Sequence, residues 1–268
     1  MHLRGLASGA ACVLALTACG RSDPGSAAAS SAPAAAQAPD TGYRSAPQVR
    51  GLARAPDASL SLFGRAAPSS QVRLASPLGA RLETTADGNG DWRTPVGPVS
   101  EPALYGLSAE SGGRRIQAEG YIAVLPDGSA AMLRAGAGAQ VLQGGKATSL
   151  KLLAADVDGG GAAVISGVAP ANAPVRILVD GQVAIEAPVG PEGRFSLTLP
   201  KALPPGQHQI KAMTAKASAD AAVTVGSIAP LTDGPYRIVP ANGGWRIDWM
   251  TPGEGLQTTL LLAAETER

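Results

Sequence analysis

His208 decides which enzymatic chemistries this sequence can support, because the other histidine, His2, lies in the first few residues. The chain has two histidines and two cysteines among 268 residues. A Ser-His-Asp site needs a base beside its nucleophile, and a zinc site needs three or four ligands. His208 begins a strand-like segment where a repeated copy of the sequence has Tyr105. We therefore expect a half-exposed sheet position, and we predict no catalytic residue, metal site or cofactor. An unrecognised hydrolase using His208 is the second alternative function.

Two acidic segments resemble fragments of calcium loops. They are residues 87–91, Asp-Gly-Asn-Gly-Asp, and residues 156–161, Asp-Val-Asp-Gly-Gly-Gly. Neither has the spaced glutamate of an EF-hand, although Ca²⁺ prefers six to eight oxygen ligands. Asp-Gly and Asn-Gly also favour tight turns in hairpins. Turns are therefore the expected structure, with weak calcium binding as the alternative.

An aromatic strand offers the most promising surface for a ligand. Alternation places Trp245, Ile247 and Trp249 on one face, with Arg246 and Asp248 on the other. Such a face packs into a core or, if exposed, stacks on sugar rings of a glycan. The sequence leaves both interpretations open, and the second predicts a carbohydrate-binding module.

The composition fits many short strands joined by turns. Glycine and proline number 34 and 22, and only 3% of residues are aromatic and 16% charged. That glycine and proline content is too high for a helical bundle. The formal net charge of +1 argues against nucleic-acid binding, which requires a basic surface.

An internal repeat with an offset of 103 residues organises the second and larger part of the chain. The matched pairs are Gly64/Gly167, Val72/Val175, Gly90/Gly193, Trp92/Phe195 and, at the opening strands, Val49/Leu152. Apolar residues alternate in both copies, as in Val175, Ile177 and Val179, and again in Val183 and Ile185. Period two predicts strands, and their spacing is typical of an antiparallel sandwich.

The repeated pattern, Gly-x-Ala-x-Pro and then Gly-x-Trp or Gly-x-Phe before a strand, resembles bacterial Ig-like modules of envelope proteins. The resemblance covers residues 58–110 and 161–225. It implies an all-β fold of two tandem Ig-like antiparallel β-sandwich modules. It also implies that the aromatic residue packs between two sheets.

A fainter repeat follows each unit. Residues 121–128 match residues 236–243, and both copies read as strand, turn, strand, Gly-rich bend, strand. We interpret the whole as a duplicated module with a trailing hairpin, at residues 46–142 and 143–268. The sequence leaves open whether each hairpin completes its own sandwich or packs on the other copy.

The N-terminus has the features of an export signal. Arg4 precedes an apolar stretch that is too short to span a bilayer. The stretch ends in Leu-Thr-Ala-Cys-Gly at residues 16–20, which resembles the bacterial lipobox. The resemblance implies removal of residues 1–18 and lipidation of Cys19. The alternative is an ordinary secretory signal with a chance cysteine.

An Ala/Ser/Pro-rich tether at residues 19–45 would then hold the modules away from a membrane. Arg21 lies two residues after Cys19, and in a cell with two membranes its resemblance to Gram-negative sorting rules implies the outer membrane, facing the periplasm. The predicted function is a non-enzymatic envelope lipoprotein that binds a protein or peptidoglycan partner.

Overall fold

The computed structural model describes residues 45–57, 59–97, 99–142, 149–241 and 243–262, and in these ranges every regular element is a β-strand. The first nine strands form module 1. Their bounds are β1 Gln48–Arg54, β2 Leu60–Arg65, β3 Gln71–Ala75, β4 Arg81–Thr85, β5 Asp91–Gly97, β6 Ala103–Ser111, β7 Arg114–Val124, β8 Ala130–Leu133 and β9 Gln140–Val141. They make a three-stranded sheet, β1-β2-β5, and a six-stranded sheet, β4-β3-β6-β7-β8-β9.

The remaining ten strands form module 2. Their bounds are β10 Lys151–Asp158, β11 Ala163–Val168, β12 Pro174–Val179, β13 Gln182–Pro188, β14 Arg194–Thr198, β15 Gly206–Met213, β16 Ser218–Val225, β17 Tyr236–Ala241, β18 Gly244–Met250 and β19 Leu256–Leu261. They make a six-stranded sheet, β14-β11-β10-β19-β18-β17, and a four-stranded sheet, β13-β12-β15-β16.

The same seven-stranded sandwich is the centre of both modules, which confirms the predicted fold class. Within each module the first, second and fifth strands share one sheet, and the third, fourth, sixth and seventh share the other. The opening pair carries a β-bulge at the same place, between Val49 and Gly51 in module 1 and between Leu152 and Ala154 in module 2. The two modules therefore share the register of their opening strands as well as the sequence repeat.

Each sandwich core places an aromatic ring over a glycine. The Trp92 ring lies beside Gly64, and the Phe195 ring lies beside Gly167. A Cβ at either glycine would overlap both the ring and a carbonyl oxygen of the bulged opening strand. This contact explains why glycine and the aromatic residue recur together in the repeat.

One detail of the predicted alternation is wrong. Val183 is 60% exposed, whereas Ile185 packs against the core of module 2. A bulge in the β12–β13 pair, between Ile177 and Leu178, interrupts the period of two and turns Val183 to solvent.

The trailing strands extend their own sheets and also pack against each other. In module 1, β8 and β9 add to the sheet that contains β7, while in module 2 β19 pairs with the opening strand β10. Apolar residues of both extensions, together with residues of β6, β7 and β10, form a third core between the sandwiches: Leu104, Ala123, Leu125, Ala131, Leu133, Ala139, Ala154, Ile247, Trp249 and Leu261. Consequently β1 is an edge strand with one partner, whereas β10 has a partner on each side.

Candidate functional site

The aromatic strand β18 faces module 1. Ile247 and Trp249 have no exposed surface, and the Trp249 ring meets Tyr121 edge to face with centroids 5.8 Å apart. The predicted platform therefore needs correction at these two residues, because a buried ring cannot stack on a sugar. The strands β7 and β8 of module 1 cover it, which matches the core interpretation.

Trp245 is the partly exposed member of the three. Its Nε1 donates a hydrogen bond of 2.8 Å to Oδ2 of Asp127, in the turn between β7 and β8. The same turn accepts bonds from Arg54 through the Asp127 and Gly128 carbonyls. The polar edge of the indole thus joins the two modules.

A buried carboxylate lies at the centre of this junction. Asp156 on β10 accepts hydrogen bonds from the Thr259 hydroxyl, the Gln257 side-chain amide and the backbone N–H of Ala139 in module 1. Thr259 in turn accepts the Trp249 indole N–H at 3.1 Å. Burial raises the pKa of Asp156, and the three donors oppose that shift. The carboxylate is structural, because its oxygens are already occupied by neighbouring donors.

A second buried carboxylate fixes the hairpin β17–β18. Asp248 accepts bonds from the Thr258 hydroxyl, Arg237 and Arg246 at 2.6, 2.6 and 2.9 Å. Burial opposes ionisation, but these donors outweigh it and hold the pKa of Asp248 below its usual value. The Asp248 side chain lies on the face of β18 opposite to that of Trp249, as alternation predicts.

His208 is buried and held by two acceptors. Its Nδ1 lies 2.7 Å from Oδ2 of Asp180, and its Nε2 lies 2.8 Å from the carbonyl of Pro204. Each ring nitrogen thus faces an acceptor, and the Asp180 bond followed by the Pro204 bond raises the pKa of His208. The expected half-exposed position is wrong, since His208 is 7% exposed and its counterpart Tyr105 is 5% exposed. A ring with both nitrogens occupied is poorly placed to accept a proton.

Residues 87–91 form a turn, whereas residues 156–161 begin in β10 with the buried Asp156 and turn only after Asp158. Oδ1 of Asp87 accepts the backbone N–H groups of Asn89 and Asp91, and Oδ1 of Asp158 accepts those of Gly160 and Ala162. In each segment an aspartate thus accepts from the backbone of its own turn, which explains why Asp-Gly occurs there. In the described part of the chain, no three His, Cys, Asp or Glu side chains gather as metal ligands.

A polar cleft at the same junction has no signal in the local sequence. Arg134 from module 1 and Arg194 from module 2 both line it, beside Ser166 and Ser196. Each arginine is unremarkable in its own segment, and only the packing of one module on the other brings the two together.

The predicted lipidation site, Cys19, and the tether up to residue 44 lie outside the described residues. Across the ranges that the structure describes, no helix is long and apolar enough to cross a membrane.

Comparisons with known proteins give only distant similarity. No protein-family model matches the chain, and no curated protein matches it at a significant level. A biofilm-associated protein BSP domain matches 69% of this chain at 12% identity with a TM-score of 0.23, and the chain spans only 30% of that structure. The central fibronectin-III array of RIM-binding protein matches 78% of this chain and 74% of its own length, at 16% identity and a TM-score of 0.25. With similarity this low, the sandwich assignment depends on the strand order itself.

Proposed function

We propose that this chain is a non-enzymatic, lipid-anchored envelope protein that presents a rigid pair of β-sandwich modules to a protein or peptidoglycan partner. The third apolar core carries the proposal. It buries Trp249 and Ile247 against module 1, and Asp156 adds a hydrogen bond across the same junction. Surfaces on the two modules therefore keep a fixed spacing, which suits binding to an extended partner.

The polar surfaces support presentation rather than turnover. The outer faces of both modules carry matched ion pairs, Arg73 with Glu83 and Arg176 with Glu186, each 2.8 Å apart. His208 has both ring nitrogens occupied. A binding role fits these matched ion pairs, and it fits a histidine whose two ring nitrogens are held by Asp180 and Pro204.

The anchor is the second part of the proposal. The lipobox-like segment supports lipidation of Cys19, and Arg21 supports placement at the outer membrane with the modules in the periplasm. Mass spectrometry of the N-terminal peptide tests this directly. We expect a diacylglyceryl-modified Cys19. We also expect the protein to appear in the membrane fraction, and the Cys19→Ala variant to be absent from it. An unmodified cysteine would overturn the anchor.

Parallel pull-downs test the partner. The full chain is offered to purified peptidoglycan and, separately, to detergent-solubilised envelope proteins. We expect saturable retention on one of these, weakened by Trp249→Ala, which loosens the junction and leaves both sandwich cores unaltered. Phe63→Ala, which removes a partly buried ring that takes no part in the junction, is the matched aromatic control. If neither bait retains the chain, or if Trp249→Ala binds as well as the unaltered protein, the fixed-spacing proposal fails.

A further inference from the structure

The cleft between the modules has an unusual set of polar groups. It encloses about 60 Å³, where residues 134–141 of module 1 cross strands β11 and β14 of module 2. Its polar lining includes Arg134, Arg194, Ser166 and Ser196. Ser196 is exposed, so the cleft opens to solvent beside it.

Both arginines keep donor capacity that the protein does not use. Nε of Arg134 is buried and has no hydrogen-bond partner, and its Nη2 reaches two carbonyl oxygens only at 3.5 Å. Arg194 donates from Nη1 to the Val141 carbonyl at 3.0 Å. The hydroxyls of Ser166 and Ser196 lie 3.0 Å apart, and because one donates to the other, one hydroxyl hydrogen is left for a ligand.

The Asp156 carboxylate beside the cleft does not accept a hydrogen bond from these free donors. Asp156 attracts Arg134 electrostatically, but its oxygens already accept from Ala139, Gln257 and Thr259. Glu192 attracts Arg194 electrostatically, but among the described residues no carboxylate forms a hydrogen bond with Arg134 or Arg194. The buried Arg134 Nε–H, in a cleft that also holds the Arg194 cation, costs free energy as long as no acceptor binds it.

We infer that this cleft binds a carboxylate group of about the size of acetate. One water molecule needs about 15 Å³, so the space holds about four waters, which suits a carboxylate and excludes a sugar ring. A planar two-oxygen acceptor matches the geometry of a guanidinium and can also take a hydroxyl bond from serine. The carboxylate belongs either to a small free acid or to the end of a short peptide that enters beside Ser196.

Nuclear magnetic resonance of the arginine Nε–H groups in the full chain is the direct test. Acetate, a short peptide with a free C-terminus, the same peptide amidated, and inorganic phosphate are each titrated in turn. We expect a saturable shift of the Arg134 Nε–H resonance with acetate and with the free-carboxyl peptide. Tighter binding of the peptide identifies a peptide end, and tighter binding of acetate identifies a small acid.

Variants separate a built site from general attraction of anions. Arg194→Gln should weaken acetate binding about tenfold, because one charge-assisted hydrogen bond is lost. Ser196→Ala is a milder variant that keeps the fold if Arg194→Gln does not. Arg73→Gln removes a half-buried cation that is paired with Glu83 away from the cleft, and it should leave binding unchanged. A non-saturable shift, preference for phosphate, or equal loss in Arg73→Gln would overturn the carboxylate site. The result does not depend on the anchor or the partner proposed above.

Discussion

The outer face of the opening sheet differs between the two modules, although the strands beneath are the same. In module 2 this face has small residues, Ala154, Ser166 and Ser196. The trailing segment of module 1 lies on it, with Gly138 close to the Ser166 and Ser196 hydroxyls. Small side chains on one module thus make room for backbone from the other.

The corresponding residues of module 1, each 103 positions earlier, are Gly51, Phe63 and Arg93. The Phe63 ring lies over Gly51, and the Arg93 guanidinium stands 5.2 Å from the ring centroid. The aromatic ring and the cation stabilise each other and occupy the space that module 1 itself fills on module 2. Both modules therefore have the same sandwich, but the outer face of the opening sheet differs. In module 2 it packs against the trailing segment of module 1, and in module 1 it is covered by its own Phe63 and Arg93 side chains.

Trp249→Ala should have the largest effect on stability, because it breaks the junction that the two modules share. Truncating a fully buried tryptophan costs about 3–5 kcal/mol of unfolding free energy. Chemical denaturation followed by circular dichroism measures it. Trp245→Ala, which removes a partly exposed ring, should cost clearly less, and equal losses would contradict the described burial.

Gly64→Ala and Gly167→Ala test whether the two sandwich cores are equivalent. Each added methyl group overlaps an aromatic ring and a carbonyl oxygen of the opening strand, so each should cost about 3 kcal/mol. Gly88→Ala is the control, because its Cβ would meet nothing within 4 Å. Thermal denaturation of the three variants decides the matter. A large loss in one module alone would show that the cores differ.

Asp156→Ala should destabilise module 2 and its junction by about 2 kcal/mol, because it leaves the Ala139 N–H and two side-chain donors without an acceptor. Module 1 has Ala53 at the matched position. Ala53→Ser, a polar change on that strand, should alter stability much less. Hydrogen exchange of the Ala139 amide provides the local measurement, and unchanged protection in Asp156→Ala would count against the described network.

The smallest effect concerns pH and is confined to module 2, since His208 is replaced by Tyr105 in module 1. His208 has a raised pKa, so its contribution is complete below about pH 6.5 and is lost as pH rises through the raised value. Asp180 has a lowered pKa, so its contribution disappears as pH falls below about 3.8. His208→Gln should therefore lower the melting temperature most near pH 5. A difference that grows toward pH 8 would contradict the ion pair.

Local sequence patterns predicted the strands, turns and repeated glycine–aromatic contact, since each depends on residues close in sequence or on a duplicated register. They could not predict which sheet each trailing hairpin would extend. β7 is both the seventh sandwich strand and the start of its hairpin, whereas module 2 uses the separate strands β16 and β17. That choice depends on pairing between distant strands. Burial of His208 and Asp156 was missed for the same reason, because Asp180, which holds His208, and Ala139, Gln257 and Thr259, which hold Asp156, are distant in the sequence.

The unequal support of β1 and β10 has a mechanical consequence. β1 is held by β2 alone, whereas β10 is held by β11 on one side and β19 on the other. A pulling force applied through the N-terminal segment would load β1 first and peel it from its sheet one hydrogen bond after another. Module 1 would thus yield under tension and dissipate the load, while the inner strand of module 2 stays clamped.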